Sequence, residues 1–94
     1  MIQRFCFVKL LDDEVAGRAE LVEKLRAELV AAGADAVVGL PADDSAARWD
    51  ISIVITAASL AAWNALARQP EMVGVFDELA ERAAVVKAWT FDAA

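Results

Sequence analysis

Residues 49–55, WDISIVI, form the clearest β-strand pattern in the chain, and the rest of the fold is predicted outward from them. Ile51, Ile53 and Ile55 recur at every second position, a spacing that places them on one face of a strand. The other face carries Asp50, Ser52 and Val54. We therefore predict a central strand with one strongly apolar face.

The segments on both sides of this strand alternate between strand and helix patterns. Asp12 and Asp13 are candidate caps of a first helix, which Gly33 ends. Ser59 opens a second helical pattern, which Pro70 breaks or restarts. The predicted elements are strand 2–11, helix 13–32, strand 34–40, strand 49–55, helices 58–69 and 71–83, and strand 85–91.

The order strand, helix, strand, strand, helix, strand predicts an α+β, ferredoxin-like fold in a single domain, residues 1–94. Both helices should pack on one face of an antiparallel sheet. The other face should then be polar if the chain works alone. Instead, we expect it to carry a large apolar set, which a second copy would cover sheet against sheet. The predicted homodimer interface is Phe5, Phe7, Ile51, Ile53, Ile55, Trp89 and Phe91.

Composition excludes several classes of function. The net charge of −6 argues against nucleic-acid and anionic-membrane partners. The chain has no histidine and one cysteine, Cys6, so we expect no metal and no cofactor. A single cysteine inside an apolar run is typical of a buried core residue. It also suits a reducing compartment, so we expect the protein to be cytoplasmic. No signal peptide or membrane span is predicted.

Three segments resemble a known family. They are residues 2–10 (IQRFCFVKL), 69–73 (QPEMV) and 85–91 (VVKAWTF), and their order and spacing resemble the stress-responsive dimeric α/β-barrel family, abbreviated Dabb. The resemblance covers essentially the whole chain. It implies a ferredoxin-like protomer whose sheet forms a barrel with that of a second copy. It also implies a cavity between sheet and helices, where the plant olivetolic acid cyclase uses histidines for an aldol-type ring closure.

The histidines of that chemistry are absent from this chain. The two strand histidines fall at Arg4 and Asp50, and Gln69 replaces the histidine of a His-Pro pair. A further histidine becomes Met72, and the helix tyrosine falls near Leu66. The resemblance therefore supports the fold and the cavity and argues against this cyclase reaction.

Arg4 and Asp50 lie on strands that should be neighbours, and we predict that they meet at the cavity mouth. A guanidinium forks onto two oxygens, so Arg4 could bind a carboxylate or phenolate ligand. Alternatively, the pair is a structural ion pair that closes the cavity. The remaining candidate pocket residues, which could also be plain core, are Ser52, Trp63, Met72 and Phe76.

Three functions stay open at this point. The first is a dimer that binds a small apolar or acidic ligand between helices and sheet. The second is a polyketide-cyclase-like enzyme or cofactor-free oxygenase that uses Arg4, although no catalytic constellation is recognisable. The third is a structural dimer with no cavity. The presence and lining of a cavity near Arg4 would distinguish them.

Overall fold

All the predicted strands and helices are present in the computed structural model of the protein, which describes residues 1–46 and 48–93. Short 3₁₀ segments occupy Asp12–Gly17 and Asp44–Ala46. No helix in the described ranges combines the length and the apolar character that a bilayer span requires. The strands are β1 (Ile2–Leu10), β2 (Asp35–Gly39), β3 (Ile51–Ala57) and β4 (Ala83–Asp92), and the helices are α1 (Arg18–Ala31), α2 (Leu60–Ala67) and α3 (Pro70–Arg82).

The four strands form one antiparallel sheet in the order β2-β3-β1-β4. The first strand therefore lies in the middle, between β3 and β4. Cys6 is opposite Ile53 on one side and Ala88 on the other. This order of strands, with the helices packed on one face, confirms the ferredoxin-like α+β prediction.

The helix ends follow the local sequence except at the start of α1. Asp12 and Asp13 do not cap it, because they lie in the 3₁₀ segment and α1 begins after Gly17 without a side-chain cap. Gly33 has φ +82° and ends α1 in a Schellman motif, in which Ala34 N–H donates to Leu29 O at 2.9 Å. Ser59 caps α2, and Pro70 opens α3.

The three isoleucines of β3 lie in the core of the single chain, so their predicted place in the dimer interface is wrong. Ile51, Ile53 and Ile55 are at most 1% exposed, beneath the helices. The register explains this, since Ile53 shares a face with Cys6, whereas Phe5 lies opposite Val54 on the other face. Period two shows which side chains of one strand share a face, but not which face the helices cover.

The other predicted interface residues lie together on the free face of the sheet. Trp89 and Phe91 are 46% and 58% exposed. Phe5 packs edge to face on Phe91 with ring centroids 5.7 Å apart, and Phe7 lies 5.9 Å from Trp89. We call these four residues the aromatic face. It is narrower than predicted, because it follows β1 and β4 and leaves β3 out.

Candidate ligand cavity

A cavity of about 360 Å³ lies between the β1–β4 half of the sheet and helices α2 and α3. It brings together four of the predicted pocket residues, Arg4, Trp63, Met72 and Phe76. Its remaining lining residues are Cys6, Ala67, Val73, Asp77, Val86 and Ala88. Almost all of this wall is apolar, and the charged exceptions are Arg4 and Asp77.

The Arg4 side chain is held in place from two directions. Its Nη1 donates a hydrogen bond to Thr90 Oγ1 at 2.9 Å, across the β1–β4 pairing. Its Cζ lies over the Trp63 ring, 5.6 Å from the ring centroid. Such a cation–π contact fixes the guanidinium without neutralising its charge. No salt bridge joins Arg4 to an acidic residue in the parts of the chain that the structure describes.

The predicted pairing of Arg4 with Asp50 is wrong. Arg4 lies opposite Ile55, whereas the Asp50 N–H donates to Val8 O near the other end of β1. The Asp50 carboxylate instead accepts from Leu10 N–H at 2.8 Å and pairs with Arg18 Nη1 at 3.2 Å. Asp50 is therefore a structural group that anchors the start of α1 to the end of β1.

Ser52 is also absent from the cavity. It lies opposite Phe7, so it belongs to the free face of the sheet rather than to the helix face. Its Oγ would be only 2.9 Å from a Cβ placed on Gly39 of the neighbouring strand. The prediction that Ser52 lines the cavity is wrong, as is the prediction that the isoleucines lie in the dimer interface. Both have one cause, since the helices cover the isoleucine face of β3 and not the face that carries Ser52.

Cys6 contributes to the cavity wall as a packed thiol. It is 3% exposed, as predicted for a core cysteine. Burial raises the pKa of the Cys6 thiol, and the positive charge of Arg4 opposes this only in part. The thiol is therefore protonated at neutral pH, and the thiolate that nucleophilic chemistry needs is disfavoured.

The other lining residues could have been found from spacing once Arg4 was placed. Val86 and Ala88 share a face of β4 with Thr90, the partner of Arg4. Val73 and Asp77 follow Met72 and Phe76 by one position, and residues four apart lie on the same side of a helix. Spacing does not predict the gap between helix and sheet, because that gap depends on how α3 packs.

Comparison with known proteins finds similarity in structure only. No protein-family model matches the sequence. No curated protein matches it either. Many solved structures superpose over nearly the whole chain. This chain has a ferredoxin-like fold.

Three of these structures illustrate the sequence identities, coverages and TM-scores that were found. A dimeric protein of unknown function from Bacteroides fragilis is 21% identical, with 97% of this chain and 94% of that chain covered and a TM-score of 0.68. At3g17210 from Arabidopsis thaliana is 13% identical, with 100% and 96% covered and a TM-score of 0.81. A protein from Deinococcus radiodurans, proposed to be an antibiotic biosynthesis monooxygenase, is 14% identical, with 100% and 93% covered and a TM-score of 0.73. At these identities the likeness establishes the fold alone and does not show that the chain belongs to the Dabb family.

Proposed function

We propose that the protein binds a small, largely apolar molecule in the cavity between β1, β4, α2 and α3. The observation that carries this proposal is the cavity itself. Its volume of about 360 Å³ lies at the lower end of the range of roughly 300–1,000 Å³ that is usual for ligand pockets. A mostly apolar wall with few polar groups is also typical of such sites. A purely structural dimer would not need this space.

Filling the cavity tests the proposal. Ala88→Leu places a larger apolar side chain into the space, because Ala88 is on the lining. The matched control is Ala80→Leu, an exposed position on α3 outside the lining. Calorimetric titration with 2-naphthalenemethanol should show binding to the wild type and to Ala80→Leu, and none to Ala88→Leu. Equal binding to Ala88→Leu would show that the ligand binds outside this cavity. No binding to the wild type or to either variant would refute the proposal.

We also propose that the chain forms a homodimer of the Dabb type through its aromatic face. The groove along this face, about 560 Å³ and lined by Gln3 and the four aromatic residues, is open and apolar. Large aromatic side chains clustered on the exposed surface of a soluble chain generally mark an interface. The structurally similar protein from Bacteroides fragilis is itself dimeric, which supports this arrangement.

A second candidate is a cofactor-free oxygenase that uses Arg4. This candidate is favoured by the structurally similar protein from Deinococcus radiodurans, which is proposed to be an antibiotic biosynthesis monooxygenase. A fixed guanidinium in an apolar cavity would stabilise a phenolate, the reactive form of a phenol toward oxygen. Oxygen uptake with 1-naphthol that is lost in Arg4→Gln would support this activity. Uptake at the rate of buffer alone would contradict it.

A further inference from the structure

Arg4 carries most of the unused hydrogen-bonding capacity of the cavity. An arginine has five N–H donors, and the structure shows one of these engaged, by Thr90. Cζ of Arg4 lies over the Trp63 ring, 5.6 Å from the ring centroid, and this contact uses none of the N–H donors, so the other N–H edges of the guanidinium can meet an acceptor. A planar carboxylate matches those edges with two parallel hydrogen bonds.

The walls of the cavity favour a flat apolar body next to that carboxylate. Trp63 and Met72 are 9% and 1% exposed, so their positions are set by the core of the chain. Phe76 is partly buried and packs against the same core. Aromatic and thioether side chains make favourable contacts with aromatic rings. An aromatic ring therefore fits this lining better than a polar or highly hydrated group.

Asp77 limits the charge of the ligand. Its carboxylate is the second charged group on the lining, and it belongs to a chain of net charge −6. Arg4 is the cation on the described lining, and it can pair with one negative charge of a ligand held against its guanidinium. A second negative charge on the ligand would be repelled by Asp77, and the lining residues that the structure describes include no second arginine or lysine to compensate it.

We propose that the ligand of this cavity is an aromatic monocarboxylate, bound through its carboxylate by Arg4 and selected against dianions by Asp77. This inference rests on the proposed function and specifies the substrate class of the same site. The arginine provides affinity for the carboxylate, the apolar wall binds the ring, and the aspartate provides discrimination by charge.

A matched set of naphthalene probes tests the role of Arg4. By calorimetric titration, 2-naphthoate should bind the wild type about tenfold more tightly than 2-naphthalenemethanol, because a charge-assisted hydrogen bond is worth at least about 1.4 kcal/mol. In Arg4→Gln this ratio should fall to about one. Arg68→Gln makes the same change in charge at an exposed position outside the lining, and it should keep the ratio near ten.

The outcomes separate the inference from the function beneath it. If the alcohol and the carboxylate bind equally to the wild type, or if Arg68→Gln lowers the ratio as much as Arg4→Gln, the inference is overturned and the ligand cavity stands. If neither probe binds, the proposed function falls together with the inference. Thermal unfolding of each variant shows whether a loss of binding is only a loss of fold.

The role of Asp77 has its own readout. 2,6-Naphthalenedicarboxylate should bind the wild type more weakly than 2-naphthoate, since it carries a second charge. Asp77→Asn should increase the affinity for the dicarboxylate more than the affinity for the monocarboxylate. An equal increase for both probes would show only the change in net charge and would overturn the selection by Asp77. Asp92→Asn, which removes one negative charge outside the lining, is the control.

Discussion

Ile53 is fully buried within one chain, and a substitution there acts on folding before it acts on assembly. We predict that Ile53→Ala lowers the free energy of unfolding by about 2–5 kcal/mol, through lost apolar contacts and the void left behind. Val37→Ala, at a position 68% exposed on the edge strand, should change it by less than about 0.5 kcal/mol. Urea unfolding at one fixed protein concentration compares the two. If both substitutions change the free energy of unfolding by similarly small amounts, Ile53 is not part of the core of one chain and would instead belong to the sheet interface.

Arg4 shows how far one residue could be read from sequence. The family resemblance makes Arg4 a candidate, because a histidine of the first strand falls at this position, and the structure places Arg4 on a cavity wall. Its partner could not be read in the same way. Asp50 neighbours β1 as predicted but near the opposite end of that strand, because the antiparallel register sets Arg4 against Ile55.

At the scale of a single element, the end of α1 depends on a backbone conformation that L-residues avoid. Gly33 has φ +82°, so we predict that Gly33→Ala destabilises the protein by about 1 kcal/mol. Gly74 lies inside α3, and a Cβ added there meets no atom within 4 Å. Gly74→Ala should therefore stabilise by about 0.4–1 kcal/mol, mainly by restricting the unfolded chain. Opposite signs in thermal unfolding are expected, and the same sign for both would contradict the helix-end assignment.

The packing of α1 on α3 includes an ion pair whose contribution depends on pH. The Lys24 ammonium donates to Glu78, and this hydrogen bond lowers the pKa of the Glu78 carboxyl. A pKa that is lower in the folded state stabilises the fold above the unfolded pKa. This contribution disappears as the pH falls through the folded value. The pair therefore supports α1–α3 packing at neutral pH and not in acid.

We predict that Glu78→Gln is less stable than the wild type at pH 7 and that the difference closes in acid. Glu81→Gln is the control, because Glu81 is an exposed residue of the same helix without a salt bridge among the described residues. Thermal unfolding from pH 7 down to pH 3 would show the two curves. A difference that persists unchanged in acid would mean that the pair acts through packing and not through charge.

For the whole molecule, the proposed dimer predicts stability that depends on concentration. Two folded copies that bind each other through the aromatic face are stabilised by mass action, so the midpoint of thermal unfolding should rise with protein concentration. Trp89→Glu, on that face, should give monomers in sedimentation velocity and remove the dependence. The control Val30→Glu changes a side chain that is 73% exposed on α1 and should remain dimeric. A wild type that sediments as a monomer would refute the dimer.

Local patterns were sufficient for most of the architecture. The order of strands and helices, the glycine end of α1, the Ser59 cap and the proline start of α3 all follow from nearest neighbours in the chain. The cap at Asp12 and Asp13 failed because their segment is wound as a 3₁₀ helix, and aspartates are equally suited to such a turn. Tertiary packing, rather than local preference, positions the first turn of α1.

Sequence patterns are enough to predict the ferredoxin-like order of elements and a sheet that is apolar on both faces, with an arginine in its first strand. Contacts between distant segments show which face the helices cover, where Arg4 and Asp50 lie relative to each other, and that a cavity separates α3 from β4. This division arises because periodicity is a property of each segment alone. Register and the choice of face are instead set by contacts between segments distant in the chain, where two apolar faces are equivalent until one of them is packed.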